Sequence, residues 1–62
     1  MPDTQEWEHL YQSLVSLIRT VAKCLPNTMF MYHNCMQLKQ RYTDGERTEE
    51  LREAIAEMLE AA

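Results

Sequence analysis

The residues of this 62-residue chain with the most specific chemistry are two thiols and an imidazole: Cys24, His33 and Cys35. Together they could hold a metal ion in a tetrahedral site. Their spacing argues against it. On a helix, His33 and Cys35 are about 200° apart and point to opposite sides. A Cys24–Cys35 disulfide meets a similar obstacle. A hairpin turn centred near Pro26 and Asn27 sets Cys24 opposite Met29 or Phe30, and Cys35 then lies about 8 Å further along the helix axis. Disulfides need Cα atoms within about 7 Å. Both cysteines are expected to be small, buried, reduced thiols. No metal site and no cofactor is expected.

Covalent catalysis fares no better. Ser13 and His9 are one helical turn apart, but nothing in the sequence orients the imidazole or supplies oxyanion donors. A single glycine cannot build a phosphate-cradling loop. Paired carboxylates are abundant in the last third of the chain, but they are expected on an exposed face that lines no cleft. The chain is not expected to be an enzyme.

The elements that must position these residues read as three helices. The first is expected over about 4–25. Asp3 and Glu6 have the spacing of a capping box, and Pro26 disfavours helix in the residue before it. The second is expected over about 28–42, behind Asn27 as N-cap. Thr43-Asp44-Gly45 is the clearest break, ending on the only glycine. The third is expected over about 46–61. The expected fold class is all-α, one domain over residues 1–62: a small three-helix bundle or helical hairpin, with a long first helix packed on the other two. For a 7.4 kDa chain, area scaling gives a folded surface of about 4,200 Å².

Helical wheels sort the side chains. In helix one, Trp7, Leu10, Leu14, Leu17, Val21 and Cys24 recur at steps of three and four. Tyr11, Ile18 and Leu25 add the flanking position, and Val15 and Ala22 widen the apolar arc to about 180°, enough to touch two neighbours. In helix two, Met31, Cys35, Leu38 and Tyr42 form a core stripe. Met29, Tyr32 and Met36 form a second stripe, and Phe30 falls on a third side. Met29, Phe30, Tyr32 and Met36 are therefore the expected partner-binding residues, with Trp7 or Tyr11 contributing, because methionine and aromatic side chains suit docking surfaces. In helix three, Leu51, Ala54, Ile55, Met58, Leu59 and Ala62 share one arc. Glu46, Glu49, Glu50, Glu53, Glu57 and Glu60 share the other. Six glutamates against Arg47 and Arg52 give residues 46–62 the whole net charge of −4.

Leu10-Tyr11 resembles the opening of the mitochondrial LYR motif, but position 12 is Gln, and no family is assigned. Glu, Leu, Ala, Met and Gln favour helix. No basic leader precedes an apolar run, and no apolar stretch approaches 18 residues, so neither secretion nor a membrane partner is expected. Two cysteines without a signal read as cytoplasmic. The acidic balance disfavours direct nucleic-acid binding. The expected function is a non-catalytic small cytosolic protein-interaction module (adaptor, chaperone or inhibitor) that docks on a protein partner and self-associates as a homo-oligomer. The second reading is an acidic helical inhibitor, a phage-type nucleic-acid mimic that blocks a basic groove through the Glu face of helix three. A third is a purely structural oligomer with Met29, Tyr32 and Met36 buried between copies.

Overall fold

The computed structural model describes residues 2–62, with side chains from Thr4 onward. Three helices, α1 (Pro2–Ala22), α2 (Met29–Thr43) and α3 (Glu49–Ala61), pack against one another as a small three-helix bundle. No described residue is in a strand.

α1 begins at Pro2, whose fixed φ and missing N–H suit a first helical position. The Asp3–Glu6 cap expected from spacing depends on the Asp3 side chain, which lies outside the described residues. Glu6 pairs instead with Arg52 of α3.

α1 ends at Ala22, three residues short of the expected Leu25. The chain tightens ahead of Pro26 through Lys23 N to Thr20 O at 3.3 Å and Cys24 N to Val21 O at 3.0 Å. Cys24 thus sits in a turn and is exposed, contrary to the expectation of a buried thiol. Asn27 is not the cap of α2. That position is Thr28, whose hydroxyl bonds no backbone N–H of α2 but donates to the Val21 carbonyl and so ties the end of α1 to the start of α2.

The second turn also departs from expectation. Gly45 has φ +105°, a conformation that residues with a Cβ rarely adopt, and its N–H bonds the Tyr42 carbonyl at 3.0 Å. The chain then stays non-helical through Glu46 and Arg47. Thr48 caps α3, its Oγ1 accepting from Leu51 N at 3.1 Å. A hydroxyl three residues before an unbonded N–H satisfies a donor that Glu46 could not reach, so α3 starts at Glu49 rather than Glu46.

The core is the meeting of the three apolar stripes. Leu14, Leu17 and Val21 of α1, Cys35 and Leu38 of α2, and Leu51 and Ile55 of α3 are buried. Trp7, Leu10, Ile18, Met31, Tyr32, Tyr42, Ala54, Met58 and Leu59 pack around them. The wide arc of α1 is consumed by two neighbours, as its breadth requires. The bundle measures 38 × 17 × 16 Å. Its 4518 Å² surface exceeds the scaling value because an elongated prism exposes more area than a sphere. Among the described residues, no helix is long and apolar enough to cross a membrane.

Candidate interaction surfaces

At one end of the bundle, the first turn of α2 leaves apolar side chains uncovered. Phe30 is 90% exposed, and Leu25 and Met29 are 39% and 40% exposed. Phe30 is out because it lies about 140° around α2 from the buried Cys35, on a side that no other helix covers. Of the four residues expected to bind a partner, Met29 and Phe30 lie together in this patch. Tyr32 and Met36 are half-buried, and Tyr32 packs against the core.

Along the same side runs a groove of about 450 Å³ between α2 and α3, lined by Asn34, Gln37, Leu38, Ala54, Glu57, Met58 and Ala61. The wheel assigned Ala54 and Met58 to the core side. They line a groove because two alanines on α3 are too short to fill the space between helix surfaces.

The six glutamates divide into two groups. Glu46 stands ahead of α3 and faces Arg41, with Nε to Oε1 at 2.9 Å and Nη2 to Oε2 at 2.5 Å. It also accepts from the Thr48 hydroxyl at 2.6 Å. Hydrogen bonds from Arg41, then Thr48, hold its carboxyl at about 2, well below the usual carboxylate range. Arg41 reaches Glu50 at 3.5 Å as well, so Glu46 and Glu50 are bridged by a cation instead of repelling one another at helical spacing. Arg41 itself is pushed up, first by its bond to Glu46. Arg52 pairs with Glu49 at 2.6 Å and with Glu6. That bonding lowers the Glu49 carboxyl and raises Arg52. Glu53, Glu57 and Glu60 are exposed and accept no hydrogen bond or ion pair from the described residues.

An aromatic cluster at the opposite end went unread in the sequence. Tyr42 stacks on Tyr11 with ring centroids 4.6 Å apart and lies 5.8 Å from Trp7. Arg47 lays its guanidinium 3.6 Å from the Tyr42 centroid and 5.6 Å from that of Trp7. Its Nη1 donates to the Tyr42 and Glu46 carbonyls. The wheel placed Trp7 and Tyr42 on core faces correctly. Arg47 escaped because it was read as a flank of helix three, whereas it belongs to the turn and folds back over both rings.

The thiols and imidazole do not converge. Cys35 is buried, and burial pushes its thiol up. Cys24 and His33 are exposed. Among the described residues, no three His, Cys, Asp or Glu side chains gather as metal ligands. Comparison with protein-family models, curated proteins and solved structures finds no match.

Proposed function

We propose that this chain is a non-catalytic protein-interaction module of the cytosol, an adaptor, chaperone or inhibitor that acts by docking its surface on protein and that also self-associates. The observation that carries the reading is Phe30, 90% exposed beside the partly exposed Leu25 and Met29. A single exposed apolar residue is ordinary. A ring this uncovered, with Leu25 and Met29 partly exposed close by in sequence, is an anchor of the kind that concentrates binding energy.

The test compares retention of a bound protein by the wild-type chain and by Phe30→Ala, at low and at physiological salt. Apolar docking predicts loss with Phe30→Ala and little change with salt. Retention by Phe30→Ala overturns the reading.

A second reading rests on Glu53, Glu57 and Glu60, which stay unpaired while Glu46, Glu49 and Glu50 are held by arginines. These three form a free stripe along about 10 Å of α3. It suits an acidic inhibitor that imitates nucleic acid against a basic groove. Binding that weakens steeply with salt would favour it.

A further inference from the structure

Resting on the docking reading above, we propose that the α2–α3 groove receives a basic amphipathic helix of a partner protein. Its apolar ridge sits between α2 and α3, and its lysine or arginine flank lies on Glu53, Glu57 and Glu60. The groove is apolar at its base and charged on one side only. Leu38, Ala54, Met58 and Ala61 supply the base, and Asn34 and Gln37 make the α2 wall neutral. Around α3, Ala61, Ala54 and Met58 lie within about 60°. Glu57 follows about 40° beyond Ala61 and lines the groove. Glu53 and Glu60 stand about 40–60° further out, so the three carboxylates form the outer lip of the α3 wall.

Charge complementarity selects the occupant. Glu53, Glu57 and Glu60 are exposed, and no described cation pairs with them. The cations of α2 and α3 are engaged or face elsewhere. Arg41 is held by Glu46 and Glu50. Arg52 lies about 160° around α3 from Ala54 and pairs with Glu6 and Glu49. Lys39 lies about 140° around α2 from Asn34. A docking surface therefore meets apolar area that gains from burial, beside carboxylates that lose hydration unless cations meet them. An acidic or wholly apolar helix leaves those carboxylates unpaired, whereas a basic amphipathic one satisfies both. The small side chains Ala54 and Ala61 recur one heptad apart, about 10 Å along α3, which suits the i and i+7 anchors of a docked helix. Phe30 falls within about 60° of Asn34 and Gln37 on α2, one turn beyond Asn34, and extends the contact past the end of the groove. A second copy of this chain does not fit the description. α1 and α3 each carry one basic residue, and the two on α2 lie about 160° apart.

The probe is an amphipathic peptide of about 18 residues, five turns long, built from leucine and lysine alone. One control peptide has glutamate in place of lysine, and another is a scrambled isomer with no apolar face. Isothermal titration calorimetry reads binding, and circular dichroism checks that each variant is folded. The leucine–lysine helix is expected to bind one-to-one, and neither control peptide is expected to bind. Glu53→Gln, Glu57→Gln and Glu60→Gln together should weaken binding about tenfold or more. Ala61→Trp, which fills the groove from an exposed position at unchanged charge, should do the same. Glu8→Gln, at an exposed carboxylate of α1, should leave binding unchanged. No binding, equal binding of either control peptide, or binding that ignores Ala61→Trp or the triple replacement overturns the proposal. If the peptide fails while Phe30→Ala still releases a bound protein, the groove assignment falls and the docking reading stands. If the peptide fails and Phe30→Ala releases nothing, both fall.

Discussion

Arg41 and Glu46 are joined three times: Arg41 Nε donates to Glu46 Oε1 at 2.9 Å, its Nη2 donates to Oε2 at 2.5 Å, and the Glu46 main-chain N–H donates to the Arg41 carbonyl at 3.0 Å. The pair clamps the end of α2 to the turn that leads into α3. Because the Glu46 carboxyl sits at about 2 in the folded chain and a free glutamate near about 4.3, the clamp is linked to pH. A carboxyl depressed on folding adds stability above the unfolded value, and that stability is lost as pH falls toward the folded one. Melting temperature is expected to drop between about pH 4.3 and about pH 2, with Glu49 adding in the same direction. Glu46→Gln should melt lower at neutral pH and show a shallower acid slope. A melting temperature flat across that window in the wild-type chain would show that the pair adds nothing.

Thr48 sets where α3 starts. Thr48→Ala removes the cap on Leu51 N and the hydroxyl that supports Glu46. The expected cost is about 1 kcal/mol, with recovery in Thr48→Ser. Urea titration followed at a helical wavelength reads both.

Leu14, Leu51 and Ile55 are fully buried. Leu14→Ala should cost about 2–5 kcal/mol, against a total for a chain of this length of about 3–9 kcal/mol. The denaturant midpoint should fall steeply. Phe30→Ala, which removes an uncovered ring, should stay within about 0.5 kcal/mol for the monomer. Equal losses for the two variants in denaturant melts would contradict the placement of the core.

The thiols should separate cleanly by accessibility. Cys24 is exposed, whereas Cys35 is buried and held protonated. A thiol reagent at neutral pH should modify one equivalent quickly and the second only at the rate of unfolding. Two fast equivalents would place Cys35 at the surface.

Replacing Glu53, Glu57 and Glu60 together with glutamine should leave folding intact or raise stability by a few tenths of a kcal/mol, since the Glu53/Glu57 repulsion at i,i+4 is relieved. A large loss in thermal melts would mean that these side chains make specific internal bonds.

The alternation of Leu14, Leu17 and Val21, of Cys35 and Leu38, and of Leu51 and Ile55 was enough to read three helices and their buried faces. Helical periodicity is a local property, and core packing simply joins the stripes it creates. Gly45 likewise announced the second turn, because the conformation there excludes most other residues. The helix ends were less legible. They depend on which oxygen reaches which orphan N–H: Thr48 reaches Leu51 N, while the Glu46 carboxylate is held by Arg41. The exposure of Cys24 followed from an early end to α1 that the Thr28–Val21 bond stabilises across the turn. The wheel could count six glutamates on one side but could not know that Arg41, from α2, would pair with Glu46 and Glu50, or that Arg52 would pair with Glu49 and reach Glu6 of α1. Nor could it show the groove, which exists because short alanines on α3 face Leu38 on another helix. Sequence alone determined the helices, the apolar faces and the concentration of charge, each a matter of spacing along one chain. Tertiary structure decided which carboxylates remain free, which thiol is reachable, and that Phe30 and a recess share one face, because each of these depends on distances between elements.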